Sequence, residues 1–155
     1  MYRKLEHGLR TTCYNKDIMT DVHFEIVDHT ADWALKVYGR TLVELFVHAA
    51  EGMTALLLAE ETAVTPTKPR TLTLQANDAE ELLVDWLSEL AYWAETECFV
   101  ATKINITTMS PTGLLAVVEG GTAAELAKHI KAVTYHQLAI TETAVGLTVT
   151  IVFDV

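Results

Sequence analysis

A short segment near the start of the chain concentrates side chains that can bind metal or transfer protons. Asp28, His29 and Asp32 fall within five positions, around a turn between two strand-like runs. Two carboxylates and an imidazole at this spacing can offer ligands to a hard divalent cation, or act as an acid and base pair. The alternative is that the aspartates and Thr30 form the turn itself and bond to the local backbone.

The end of the sequence provides a second candidate. Asp154 precedes Val155, so a side-chain carboxylate and a terminal carboxylate lie next to each other. Crowded carboxylates are unfavourable unless a cation neutralises them, and a site that joins them to an acid from another loop would favour calcium or magnesium. The alternative is a frayed, solvated chain end.

A strand-like run between residues 131 and 136 carries the third pair of candidates. On a flat strand Lys131 and His136 point to opposite faces, so each needs its own partners. Lys131 can hold an anion or an acidic site residue, and His136 can ligate a metal or shuttle a proton. The alternative for His136 is a half-buried histidine that only forms a hydrogen bond.

Signatures of several common enzymes are absent from the sequence. It contains no GxGxxG, no phosphate-binding P-loop, no HExxH and no GxSxG. The adjacent Gly120 and Gly121 are typical of a hairpin turn. Cys98, close to the end of an amphipathic helix, is interpreted as a small core residue and not as a nucleophile. We therefore assign no catalytic residue.

Strands and helices alternate around these candidates. Phe24 and Ile26, and then Trp33, Leu35 and Val37, alternate with polar neighbours as half-buried strands do. Further strands are predicted from β-branched composition and turn residues at 71–74, 104–108, 114–119, 130–141 and 147–155. The last of these is apolar on both faces, which predicts a central position in a sheet. Residues 122–128 are expected to form a short helical turn.

Two helices are predicted by helical spacing of apolar residues and by their caps. Thr41 and Glu44 match a capping box, so the first helix should begin at Thr41. Asn77 or Asp78 should cap the second. This order of elements predicts an α+β fold, a single domain with a mainly antiparallel sheet and two helices packed on one side.

Composition and charge limit the classes of function. Half of the 155 residues are apolar and 21% are charged, which excludes a disordered tail, a coiled coil or a disulfide scaffold. The formal net charge is -10, so direct nucleic-acid binding is not expected, and cations or basic partners are. Cys13 and Cys98 form no metal-binding pattern, and no membrane span or signal peptide is apparent. These features predict a cytoplasmic protein.

The first twenty residues show no clean period. Met19 stands just before the first strand-like run, so residues 1–20 are expected to be a disordered extension or the result of a misassigned start codon. The domain itself is predicted over residues 21–155.

Several motifs, taken in their order, resemble the archease family. They are Asp28 to Asp32 (DHTAD), the helix segment EELLVDWL from Glu80, the stretch KAVTYH from Lys131, and the closing Asp154. The resemblance runs from about His23 to the last residue.

The resemblance implies an accessory protein of RNA splicing and repair. Archeases promote guanylylation and multiple turnover of the RtcB-type RNA ligase, which uses GTP and a divalent metal, and they form no covalent intermediate themselves. The family's metal site would correspond to Asp32, Asp154 and the terminal Val155, with calcium as its natural occupant. Asp28, His29, Lys131 and His136 would support the same functional tip.

Two alternatives from other classes of function stay open at this point. An α+β binding module without a metal role would show no calcium-dependent change in melting temperature. A metal-dependent hydrolase that uses the aspartates for metal and His136 as base would hydrolyse phosphoesters without a partner.

Overall fold

The structure is a computed structural model that describes residues 2–4, 10–12, 23–28 and 32–155. These residues form eleven strands and two helices. In chain order they are β1 (Tyr2–Lys4), β2 (Arg10–Thr12), β3 (Phe24–Asp28), β4 (Trp33–Gly39), α1 (Leu42–Leu57), β5 (Val64–Pro66), β6 (Arg70–Gln75), α2 (Ala79–Glu97), β7 (Phe99–Ser110), β8 (Gly113–Ala123), β9 (Ala132–Thr134), β10 (Thr141–Thr143) and β11 (Gly146–Asp154).

The strands are divided between two sheets, and all described pairs are antiparallel. In the first sheet the order is β1-β2-β3-β4-β11-β10, and β9 also pairs with β11. In the second sheet β8 pairs along one edge with β7 and along the other with β5 and β6. The mainly antiparallel α+β class and the internal position of the last strand are confirmed, whereas the second sheet was not predicted.

Both helices begin at the predicted caps. The Thr41 hydroxyl accepts a hydrogen bond from the backbone N–H of Glu44 at 3.2 Å, and the Asp78 carboxylate accepts one from Glu81 at 2.8 Å. These bonds satisfy backbone donors that have no partner inside the helix. Of the two candidates for the second cap, Asp78 is therefore the correct one.

The core lies where α1 meets both sheets. This helix contacts β3, β4 and β11 of the first sheet and β7 of the second, while α2 contacts β6, β7 and β9. The two helices are joined by a buried hydrogen bond, in which the Trp86 indole N–H donates to the Phe46 carbonyl at 3.0 Å. Burying the indole with its polar group paired fixes the position of α2 relative to α1.

The prediction that Gly120 and Gly121 form a hairpin turn is wrong. Both residues are buried within β8, opposite Ala101 and Val100 of β7. A Cβ atom at Gly120 would overlap the carbonyl oxygen of Val100, and one at Gly121 would overlap that of Thr65. The two glycines are needed because neighbouring backbones approach β8 closely from both sides.

Three other local predictions are also wrong. Residues 122–128 do not form a helical turn, because β8 continues to Ala123 and is followed by irregular chain. The predicted strand over 130–141 is interrupted, since β9 ends at Thr134 and Gln137 adopts a left-handed conformation with φ of 53°. Cys98 is partly exposed and forms the left-handed C-cap of α2, so it is not a core residue.

Two short strands fall within the first twenty residues. β1 pairs with β2, and β2 pairs with β3 through Arg10 and Thr11, so this part of the chain extends the first sheet. The predicted boundary between an extension and a domain at residues 20 and 21 lies outside the described residues. Neither helix in the described part of the chain has the length and apolar character needed to cross a bilayer.

Candidate metal site

The two candidate aspartates are brought together by the pairing of β4 with β11. Trp33 and Phe153 form the last pair of this ladder, and Asp32 and Asp154 each lie one residue beyond it. In an antiparallel ladder, residues directly opposite each other project from the same face of the sheet. The register therefore brings the backbones of Asp32 and Asp154 to the same end of the sheet, although the two residues are far apart in the sequence.

On its other side, β11 is bordered by β9. Asp154 pairs with Ala132, and the backbone N–H of Lys131 donates a hydrogen bond of 2.7 Å to the main-chain carbonyl oxygen of Asp154. This bond fixes the backbone just before Val155. Because Ala132 has a small side chain, the face that carries the Asp154 carboxylate stays open on that side.

The electrostatics of this end of the sheet favour a cation. Asp154 is exposed and Asp32 is half-buried, and within the described residues neither carboxylate forms an ion pair with a basic side chain. Like charges directly opposite on neighbouring strands destabilise a sheet. The available donors are oxygen atoms, which hard cations such as calcium and magnesium prefer. The residues present therefore fit a divalent oxygen-ligated ion.

A positively charged side chain contacts the residue that follows Asp32. The ammonium group of Lys128 lies 4.0 Å from the ring centroid of Trp33, the neighbour of Asp32, in a cation–π contact. Lys128 was not predicted from the sequence, because its approach to Trp33 depends on irregular chain after β8.

The remaining predicted residues are distributed around this edge. Asp28 ends β3 and pairs with Trp33, so its backbone lies at the same edge, while His29 lies outside the described residues. Lys131 is exposed next to Val155. His136 is also exposed, but it follows the opposite end of β9, where its backbone N–H bonds to the Thr134 hydroxyl at 3.3 Å. The backbone of Lys131 thus lies beside that of Asp154, whereas His136 lies beyond the opposite end of β9.

An acidic face of α2 lies beside the turn that follows β9. Tyr135 is 57% exposed, and its pKa is raised by partial burial and then by the negative charges of Asp85, Glu81 and Asp78. These three acids are spaced three and four positions apart, which places them on one side of the helix. The helical spacing of these acids is visible in the sequence, but the acidic face was not predicted from it. The face combines negative charge with an exposed aromatic side chain.

Comparison with known proteins identifies the family of this chain. Residues 24–155 match the model of the Archease protein family (MTH1598/TM1083). The chain is similar to the protein archease of Methanosarcina barkeri, with 33% identity over 85% of this chain and 95% of the relative. It is also similar to the protein archease of Saccharolobus solfataricus, with 34% identity over 85% of this chain and 98% of the relative.

Solved structures show the same fold. The solution structure of Methanobacterium thermoautotrophicum protein 1598 superposes with a TM-score of 0.66 and 27% identity, covering 85% of this chain and 98% of that protein. The crystal structure of a Thermotoga maritima archease, described as a "possible chaperone", has a TM-score of 0.63 and 19% identity and covers 83% and 94% of the two chains. The predicted resemblance is thus confirmed by sequence and by fold, and the chain belongs to the archease family.

Proposed function

We propose that this protein is an accessory activator of an RtcB-type RNA ligase. In this role it promotes guanylylation and multiple turnover of the ligase and carries out no covalent chemistry itself. The observation that supports the proposal is the pairing of Trp33 with Phe153, which brings the neighbouring residues Asp32 and Asp154 to the same end of the β4 and β11 ladder. A pair of carboxylates without a basic partner in the described chain is suited to presenting a metal ion to another protein.

The ligands of this ion would be the carboxylates of Asp32 and Asp154 and a main-chain oxygen of Val155. Such a set is all oxygen and negatively charged, which favours calcium over transition metals. A bound divalent ion would supply positive charge for orienting phosphate oxygens. The hydrogen bond from the Lys131 N–H to Asp154 would hold the end of β11 in place for binding.

The charge of the protein suggests how it docks. The formal net charge of -10 and the acidic face of α2 would complement the basic nucleotide pocket of the ligase, where GTP and the ligase's own metal bind. Tyr135, exposed beside that face, would add an aromatic contact of the kind enriched at protein interfaces. Direct contact with RNA is not required.

The test is multiple-turnover joining of RNA ends by the cognate ligase, with and without this protein. Asp32→Ala removes one carboxylate of the proposed metal site and should abolish stimulation. Glu119→Ala is the matched control, because Glu119 is an exposed acid on β8 of the second sheet and its loss changes the net charge equally.

The outcomes separate the proposed roles. Stimulation by the wild type and the control, and its loss in Asp32→Ala, would support both the partner and the acidic site. Equal stimulation by all three proteins would remove the metal site from the mechanism. No stimulation at any ratio would favour a binding module of a different kind.

A further inference from the structure

A second group of potential metal ligands lies away from the aspartates. His23, His48 and Glu51 form what we call the histidine cluster, in which one ring nitrogen of each histidine and one carboxylate oxygen lie within 4.8 Å of one another. His23 immediately precedes β3, while His48 and Glu51 are three positions apart on α1 and therefore on one side of the helix.

The histidine cluster is separate from Asp32 and Asp154. The backbone N–H of Tyr38 donates to the His23 carbonyl at 2.9 Å, which places the histidine cluster at the end of β4 opposite Asp32. At a rise of about 3.3 Å per residue, the six positions from Asp32 to Tyr38 span roughly 20 Å. The two groups cannot share one ion.

The tautomer of His48 is determined by its hydrogen bond. Its Nδ1 lies 2.6 Å from the main-chain oxygen of Tyr38. A carbonyl oxygen only accepts, so Nδ1 carries the hydrogen and the neutral ring keeps its lone pair on Nε2. Metal-binding histidines are typically oriented by this kind of bond between the second ring nitrogen and a backbone carbonyl. His48 is therefore prepared to act as a ligand through Nε2.

His23 and Glu51 contribute the other two donors at a suitable separation. His23 Nδ1 lies 3.2 Å from Glu51 Oε1. Two ligands of a tetrahedral zinc ion, each about 2.1 Å from the metal, are about 3.4 Å apart. This separation is close to that of two zinc ligands, but it is held by a hydrogen bond from the His23 ring to the carboxylate, which His23 must give up when it rotates to bind zinc.

Binding requires one ring to move. The rings of His23 and His48 are stacked, with centroids 3.8 Å apart and planes 8° from parallel. Lone pairs of parallel rings cannot point at the same ion, so His23 must rotate out of the stack. Its side chain is 38% exposed, which leaves room for this rotation.

We propose that His23, His48 and Glu51 bind a zinc ion, with water as a fourth ligand. Two imidazoles and one carboxylate are a ligand set that zinc favours and that calcium, which prefers oxygen, does not. The ion would connect the start of β3 to the middle of α1. This inference is independent of the proposed role in RNA ligation, because it involves different residues and a different metal.

The test is calorimetric titration of the full chain with zinc chloride, and separately with calcium chloride. His48→Asn removes the Nε2 ligand but keeps a side-chain N–H that can donate to the Tyr38 carbonyl. Glu51→Gln removes the carboxylate charge with little change in size. His129→Ala is the matched control, because this exposed histidine also pairs with a glutamate, Glu95, at 2.9 Å.

One zinc ion per chain is expected for the wild type, for His129→Ala and for Asp32→Ala. The affinity should fall at least about tenfold in His48→Asn and in Glu51→Gln, and calcium should not compete. If His48→Asn does not fold, as judged by circular dichroism, Glu51→Gln alone decides. The proposal is overturned if the wild type binds no zinc, or if the folded cluster variants bind it as tightly as the control.

Discussion

Neutralising one of the two paired aspartates should change stability in opposite directions with and without metal. In Asp154→Asn the side chain keeps its size, but the charge opposite Asp32 is lost. Without divalent ions the variant should be more stable than the wild type, because a repulsion between like charges is removed. With saturating calcium it should be less stable, because the wild type is stabilised by the bound ion and the variant is not.

The magnitudes follow from the register. Side chains directly opposite in an antiparallel ladder have Cβ atoms about 5 Å apart, and two unit charges at this distance repel by about 0.8 kcal/mol in water. Because Asp154 is exposed, salt reduces this value further. A ligand at 100 times its dissociation constant stabilises the folded state by about 2.7 kcal/mol. The gain in stability of Asp154→Asn in the presence of chelator should therefore be small, and its loss of stability in the presence of calcium should be larger.

Urea unfolding in chelator and in calcium would measure both effects. Glu142→Gln is the matched control, since Glu142 is an exposed acid on β10 of the same sheet and lies away from the edge. It should change stability equally in the two media. If Asp154→Asn also shifts equally in both, the carboxylates do not form a metal site and the pairing argument fails.

Two further predictions concern the scaffold. Gly120→Ala should lower the free energy of unfolding by at least about 2 kcal/mol, because its Cβ would overlap the Val100 carbonyl. Gly113→Ala should change it far less, since the atom nearest to a Cβ there is 3.3 Å away. Equal losses of stability in urea unfolding would contradict the steric argument. Burial and the charge of Glu81 raise the pKa of Asp85, so the folded state favours the protonated acid. Protonated Asp85 therefore contributes to stability at low pH, and this stabilisation is lost as the pH rises. Asp85→Asn should therefore stabilise the protein at pH 7 by less than about 1 kcal/mol and have a smaller effect near pH 4; an unchanged difference between the two pH values would refute this.

The elements that could be predicted are those whose signals are local. A hydroxyl or carboxylate that accepts from a backbone N–H three positions later identifies a helix start, and both Thr41 and Asp78 do so. The central position of β11 could also be predicted, because Ile151, Val152 and Phe153 are consecutive and apolar and therefore need burial on both faces.

The wrong predictions concern residues whose conformation depends on distant chain. Adjacent glycines are common in turns, and nothing near Gly120 in the sequence indicates that β7 and β5 approach β8 from both sides. Gln137 breaks the predicted strand by adopting positive φ, which non-glycine residues rarely do. Propensity alone therefore predicts a continuous strand where the chain turns.

The two sites differ in how much the sequence could reveal. Asp32 and Asp154 were joined through the resemblance to a family, since spacing alone does not predict the register of β4 with β11. The histidine cluster was not predicted at all, because His23 and Glu51 are 28 positions apart and meet only when α1 packs on the first sheet. Ligands on different elements become visible only with the tertiary structure.

The pairing of β4 with β11 also constrains the order of folding. β4 can form a hairpin with β3 early, but its other edge bonds to a strand much later in the chain, as in the contact between Val37 and Thr148, 111 positions apart. Such long-range pairing slows folding, and until it forms, the free edge of β4 can pair with other chains. Asp32 and Asp154 meet only when this last pairing is complete. Metal binding at that end of the sheet would therefore report that β4 and β11 have paired.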